Sequence, residues 1–131
     1  MEMEIYFDGN KKVNANYKGF IIKTDQPVKA GGDNTAPAPF DLFLASMGTC
    51  AGIYVKLFCD QRQIPTDNIK LIQTTEFNNE THLIGKVKID IKLPADFPEK
   101  YKNAVINAAN LCTVKKHLFN PPAIEVVTSE I

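Results

Sequence analysis

The chain has 131 residues, a length that suits a single domain, residues 1–131, with a core that needs no disulfide bonds. Its 15 basic and 15 acidic residues balance, and hydrophobic residues make up 44% of the sequence, as in ordinary globular proteins. There is no basic run and no cluster of Arg with aromatic residues, so the composition argues against a nucleic-acid-binding protein.

The N-terminal part of the chain predicts three short antiparallel strands. Apolar and polar residues alternate over 3–7, 13–17 and 20–24. Turn residues separate these runs at 8–10 and 18–19, which is hairpin spacing. Residues 25–38 follow as a loop, because Gly31-Gly32 and nearby prolines prevent regular structure. A loop of this length in a small domain is often functional.

A long apolar helix is predicted from Pro39 to about Arg62. Pro39 suits the first helical position, and Ile64-Pro65 ends the helix. The segment is apolar nearly all round, so we expect it to be buried on most sides. It also contains charged and small residues, and the one-sided strands of the chain need an apolar element to cover. A buried core helix is therefore favoured over a membrane span, and no membrane partner is expected.

The second half of the chain predicts two long strands, two helices and a last strand. Residues 69–77 and 83–93 alternate around a turn at 78–81. Asp96 and Glu99 form a capping-box pattern for a helix, whose apolar face runs from Tyr101 to Cys112. A short helix over 113–119 and a strand over 123–128 complete the order βββ-α-ββ-α-α-β. This order is typical of an α+β fold with a mostly antiparallel sheet.

Three cysteines in a chain without a basic N-terminal export signal indicate cytoplasmic thiols rather than a disulfide framework. Cys50 and Cys59 lie nine residues apart, on opposite sides of a helix. Cys59 is interpreted as a small buried apolar residue. Cys50 and Cys112 belong to two different buried helices, so they could meet and form a redox pair. The cysteine spacing, with His82 and His117, matches no zinc pattern, so neither a metal nor another cofactor is expected.

The surroundings of the two thiols leave alternatives open. Gly48 and Gly52 flank Cys50 at a cost to helix stability, and they either allow close packing or leave room for a substrate. Cys112 precedes a helix, where a thiol is stabilised as thiolate. Positive side chains follow it, and they either add to that effect or form a solvated helix face: Lys115, Lys116 and His117.

Two motifs resemble the OsmC/Ohr family of thiol-dependent hydroperoxide reductases. Pro39-Phe-Asp-Leu-Phe-Leu-Ala-Ser-Met-Gly-Thr-Cys50 resembles the central helix of that family, and Leu111-Cys-Thr-Val-Lys-Lys-His-Leu118 resembles its second cysteine motif. The resemblance implies an intertwined homodimer, in which sheets surround long buried central helices and the active sites lie at the interface. It also implies a peroxiredoxin-type thiol peroxidase in oxidative-stress defence. Cys50 would be peroxidatic, Cys112 resolving, and a dithiol such as a lipoylated protein the reductant of the disulfide.

This sequence departs from the Arg-containing peroxidases of that family at three places. It has no Arg before Arg62, Phe40 stands where those enzymes have Glu, and Thr113 replaces a proline. Asp41, next to Phe40, is therefore a candidate acidic partner of Cys50. A lysine or histidine near Cys112, or a lysine of a partner chain, is expected to lower the pKa of Cys50. The proline–acidic spacing and Cys50-x-x-Ile53 are closer to the OsmC-like branch.

Three other functions remain open from the sequence. One is a non-catalytic OsmC-like protein that binds a small apolar or acyl ligand at the dimer interface. Another is a purely structural dimer or adaptor. The third is an acyl-transfer enzyme with Cys50 as nucleophile and His117 as base, although no orienting acid accompanies that histidine.

Overall fold

A computed structural model describes all residues, 1–131. The chain forms two compact units, residues 1–45 and 46–131. Together they contain five strands in two antiparallel sheets and three α-helices, which confirms the predicted α+β class. Helix α1, Pro39–Gln61, begins in the first unit and continues in the second. The single domain over 1–131 stays a prediction.

The first unit contains a three-stranded sheet in the order β1-β2-β3, as the alternation predicts. Its strands are β1, Glu4–Phe7, β2, Val13–Tyr17, and β3, Phe20–Ile22. Lys18 and Gly19 connect β2 to β3, and both have positive φ, at 51° and 81°. Two residues with positive φ match the twist of a tight hairpin, so this turn fixes the register of the sheet.

The loop after β3 is organised around the carboxylate of Asp25, which is fully buried. Asp25 accepts hydrogen bonds from Thr35 Oγ1 at 2.6 Å, from Thr35 N at 3.0 Å and from Gln26 N at 2.7 Å. Gly32 is also buried here, and a Cβ at this position would collide with the Gln26 carbonyl oxygen. These bonds give the predicted loop a defined structure without helix or strand, apart from one 3₁₀ turn, Val28–Ala30.

The second unit pairs β4, Lys70–Asn78, with β5, Leu83–Lys92, in an antiparallel ribbon with a bulge at Glu76/Phe77. Helices α2, Lys102–Ala109, and α3, Thr113–Phe119, follow. The core joins one side of α1 to α2 and to the loop before it. Its buried members are Val55, Phe58, Cys59, Phe97 and Val105.

The predicted capping box at Asp96 is wrong. The chain makes a 3₁₀ turn over Glu99–Tyr101 before α2, and Pro98 precedes that turn with φ −59° and ψ 121°. A proline disfavours helical backbone in the residue before it, so the helix cannot extend back through Phe97. The core-facing side is confirmed, since Val105 is buried and Tyr101 packs against the core.

The predicted strand over 123–128 is not formed in this chain, where residues 121–131 have no regular secondary structure. Ile124 and Val126 are 87% and 91% exposed. A strand needs a neighbouring strand to satisfy its backbone groups, and this segment pairs with neither sheet.

Helix α1 is buried along one side only, at Ala51, Val55, Phe58 and Cys59. Elsewhere on the helix Ile53 and Leu57 are about half exposed, so the expectation that the helix is buried on most sides is wrong for the single chain. By length and composition alone α1 could cross a membrane. A core helix passes the same test, and the buried side of α1 is a core surface, so the helix is not a convincing span.

Candidate functional site

Cys50 and Cys112 lie close enough in the structure for each thiol to shift the pKa of the other. Cys50 lies on α1 and is partly exposed, whereas Cys112 is the buried residue that caps the N-terminus of α3. From the sequence we expected that thiols on two different helices could meet, and in the structure these two are neighbours.

The pKa of Cys50 is lowered by the start of α3. Burial alone would raise it, but hydrogen bonds from the backbone N–H of Val114, the thiol of Cys112 and the backbone N–H of Thr113 outweigh that effect. Each of these donors stabilises the thiolate more than the thiol. Cys50 is therefore the thiol of the pair that ionises more readily.

The pKa of Cys112 is raised, mainly by burial and also by its bond to Cys50. The prediction that Cys112 itself is stabilised as thiolate at the helix start is therefore wrong. The backbone N–H of Lys115 does donate to Cys112 Sγ, at 3.4 Å, and lowers the pKa. That bond is too weak to offset the loss of water around a buried thiol.

The positive side chains after Cys112 make other contacts. Lys115 Nζ donates to Asn110 Oδ1 at 2.7 Å and lies 5.9 Å from the centre of the Phe119 ring. His117 Nδ1 lies 2.7 Å from the Thr113 carbonyl oxygen. Neither group contributes to the lowered pKa of Cys50, which arises from backbone N–H groups and a thiol. The expectation that a nearby lysine or histidine has this role is not met within the chain.

A hydrogen bond that the sequence analysis missed connects the two cysteine segments. Tyr54 Oη lies 3.1 Å from Thr113 Oγ1. Tyr54 follows Cys50 by four residues, one turn along α1, and Thr113 follows Cys112 directly. The position of each residue beside a cysteine was the available signal, but a single sequence does not show which side chains face each other across two helices.

Asp41, the candidate acidic partner of Cys50, has a local structural role, as do Cys59 and Arg62. Asp41 Oδ2 accepts from the backbone N–H of Ala38 at 3.1 Å, so its carboxylate caps the start of α1. Cys59 is fully buried in the core, and burial raises its pKa. Arg62 stacks on the Phe58 ring at the end of α1, with its guanidinium carbon 3.7 Å from the ring centre.

The two glycines near Cys50 have different surroundings. A Cβ at Gly48 would lie 2.6 Å from Gln73 Oε1, so this glycine permits close packing of α1 against β4. A Cβ at Gly52 would meet no atom within 4 Å. The close-packing interpretation therefore holds at Gly48, and open space lies beside Gly52.

An apolar cavity of about 810 Å³ adjoins Cys112 in the second unit. It lies between β5 and helices α2 and α3, and lysines stand among its lining residues. The apolar part of the lining includes Val87, Ile89, Ile106, Ala109 and Phe119. This volume falls in the range of pockets that hold small organic ligands.

Comparison with solved structures shows the same fold in several bacterial proteins. A Psychrobacter arcticus protein, proposed to act in osmotic stress and detoxification responses, has a TM-score of 0.72 at 22% identity, over 87% of this chain and 85% of its own. The OsmC-like protein of Mycoplasma pneumoniae has a TM-score of 0.70 at 12% identity, over 92% and 87%. The organic hydroperoxide resistance protein OhrB of Bacillus subtilis has a TM-score of 0.54 at 17% identity, over 92% and 93%.

Two sequence comparisons gave different results. No curated protein sequence matches the chain significantly. The sequence profile of the OsmC family, described as OsmC-like protein, matches residues 31–127, which include both cysteine motifs and most of the chain. The chain therefore belongs to the OsmC-like protein family.

Proposed function

We propose that this protein is a thiol-dependent hydroperoxide reductase, with Cys50 as the peroxidatic and Cys112 as the resolving cysteine. The observation that carries the proposal is that the two thiols are neighbours and that their pKa values are shifted in opposite directions. A peroxidatic cysteine must be thiolate and reachable by peroxide, and Cys50 is the more acidic and the more exposed of the two. Organic hydroperoxide resistance proteins of the same fold support this substrate class.

The chemistry follows from these roles. The Cys50 thiolate attacks the outer peroxide oxygen, the O–O bond breaks, and the leaving alkoxide takes up a proton to form an alcohol. Cys50 is then a sulfenic acid. The Cys112 sulfur attacks the Cys50 sulfur, the S–O bond breaks, and hydroxide leaves as water with the Cys112 proton. A dithiol reduces the resulting disulfide by thiol–disulfide exchange and is itself oxidised to a disulfide.

Addition of one equivalent of cumene hydroperoxide, followed by intact mass measurement, tests the proposed pair. Wild type and Cys59→Ser, the matched control, are expected to lose two hydrogen atoms. Cys112→Ser is expected to gain one oxygen on Cys50, which dimedone traps. Cys50→Ser is expected to show neither change. If Cys112→Ser still loses two hydrogen atoms, or wild type loses none, the proposed pair is wrong.

A homodimer is the second part of the proposal. Ile53 and Leu57 of α1 and the apolar residues of the C-terminal segment are exposed in the single chain, and exposed apolar surface of this kind marks interaction sites. We expect light scattering to give the mass of two chains. Ile53→Glu should shift the protein towards the monomer, whereas Asn107→Glu, on an exposed polar site of α2, should not. A monomeric wild type would reject the dimer.

The cavity beside Cys112 favours one alternative function, the binding of a small apolar or acyl ligand without catalysis. That function predicts a ligand carried through purification, visible by native mass spectrometry, and a displaceable fluorescent fatty acid. Ile106→Lys, which places a charge in the cavity, should abolish this binding. Tight binding in a protein that shows no oxidation of Cys50 by hydroperoxide would favour the binder over the reductase.

A further inference from the structure

We propose that Tyr54 and Thr113 are a positioning pair, whose side-chain hydrogen bond holds the first turn of α3 against α1 with its backbone N–H groups directed at Cys50. The inference rests on the proposed function only for the role it gives to Cys50. The geometry itself is the bond of 3.1 Å between Tyr54 Oη and Thr113 Oγ1.

The bond joins the two helices at the level of the thiols. Tyr54 lies one turn after Cys50 on the same side of α1. Thr113 is the first residue of α3, directly after Cys112. A hydroxyl–hydroxyl bond at this place restricts how far the start of α3 can move away from Cys50.

The start of α3 needs such a restraint because it is otherwise weakly held. The helix has seven residues and none of them is buried. Isolated helices this short are not stable in water, so tertiary contacts must fix the position of α3. The Tyr54 bond and the contact of Cys112 with Cys50 are two contacts at its first turn.

Two different groups of Thr113 affect the Cys50 thiolate. Its backbone N–H donates to the Cys50 sulfur, and its side chain bonds to Tyr54. Neither group would exist with proline at this position, because proline has no backbone N–H and no hydroxyl. Proline is nevertheless well accepted at the first position of a helix, so Thr113→Pro removes both groups with little risk to folding.

The test measures the pH dependence of Cys50 alkylation by iodoacetamide, read by peptide mass spectrometry in the absence of peroxide. Tyr54→Phe and Thr113→Val each remove one hydroxyl, and each is expected to raise the midpoint by about half a pH unit. The double variant should shift it no further than the larger single shift. Thr113→Ser should keep the wild-type midpoint, and Thr113→Pro should shift it most.

Tyr101→Phe is the matched control, because it removes a tyrosine hydroxyl elsewhere in the second unit. Circular dichroism and thermal melting confirm that each variant is folded. If Tyr54→Phe does not fold, the midpoint of Thr113→Val tests the proposal instead. An unchanged midpoint in the folded Tyr54→Phe and Thr113→Val variants, or an equal shift in Tyr101→Phe, overturns the proposal. A shifted midpoint in a protein that hydroperoxide does not oxidise would reject the reductase function and leave the positioning pair standing.

Discussion

Cys50 and Cys112 are neighbouring thiols whose pKa values are shifted in opposite directions, down for Cys50 and up for Cys112. The backbone N–H groups at the start of α3 stabilise the Cys50 thiolate, while burial and the neighbouring sulfur disfavour ionisation of Cys112. The pair therefore has a built-in order of ionisation without any nearby arginine.

The three thiols should react with an alkylating reagent in a definite order as pH rises. As pH rises, iodoacetamide should label Cys50 first, with a midpoint below that of an ordinary cysteine, because its folded pKa is lowered. Cys112 and Cys59 should follow at higher pH, since burial raises both of their pKa values. Peptide mass spectrometry after timed alkylation measures this order. Labelling of Cys112 before Cys50 would contradict the assignment.

The role of Cys112 in this order can be measured separately. Cys112→Ala removes one of the hydrogen bonds that lower the pKa of Cys50, so the Cys50 midpoint should move to higher pH. Cys59→Ala is the matched control, because Cys59 does not contribute to the shift. A Cys50 midpoint that stays constant in Cys112→Ala would show that the backbone N–H groups alone determine its acidity.

Part of this arrangement could be predicted from residues alone. The spacing from Tyr101 to Cys112 predicted that the second cysteine is buried, and it is buried, although α2 ends at Ala109 and Cys112 caps α3 instead. The alternation and turn residues of the first three strands predicted their pairing. The strand pairing follows from local periodicity, which each segment carries independently of the rest of the fold.

The remaining features depend on tertiary contacts that one sequence does not encode visibly. The N–H groups of Thr113 and Val114 reach Cys50 only because α3 packs beside α1, and the sequence does not show that packing. The capping box at Asp96 failed because Pro98 restricts the residue before it. The strand over 123–128 has the right alternation but no neighbouring strand in this chain.

The stabilities of Gly48→Ala and Gly52→Ala should differ, because only Gly48 packs closely against another side chain. Gly52→Ala should stabilise the protein by about 1 kcal/mol, because alanine favours a helix and its Cβ meets no atom within 4 Å. Gly48→Ala should gain less, because its Cβ would lie 2.6 Å from Gln73 Oε1 and the amide must move. Urea unfolding measures both. A destabilised Gly52→Ala would indicate that another surface covers this side of α1.

The buried carboxylate of Asp25 predicts loss of stability in acid. Hydrogen bonds from Thr35 and from the Gln26 and Asp33 backbone hold its folded pKa below the ordinary value of 3.8. Its contribution to stability is therefore complete above about pH 4 and declines as pH falls towards the folded pKa. Asp25→Asn should lower Tm by several degrees at pH 7 and reduce this acid dependence. Asp67→Asn, an exposed site, is the control, and equal acid dependence in wild type and Asp25→Asn would contradict the prediction.

Arg62 is predicted to stabilise the end of α1 by stacking rather than by charge alone. Its guanidinium carbon lies 3.7 Å from the centre of the Phe58 ring and 5.2 Å from that of Tyr101, and Nη1 donates to the Phe58 carbonyl oxygen at 3.1 Å. Arg62→Ala should cost about 1–2 kcal/mol in the free energy of unfolding, measured in urea. Arg62→Lys should recover less than half, because an ammonium group does not stack.

Lys56→Ala provides the comparison for Arg62, because Lys56 forms an exposed ion pair with Asp60 one turn apart, at 2.6 Å. Such surface pairs contribute little to stability, because water and salt screen the two charges. Arg62→Ala should therefore destabilise the protein several times more than Lys56→Ala. Equal losses in the two variants, or full recovery in Arg62→Lys, would show that positive charge rather than stacking matters at this position.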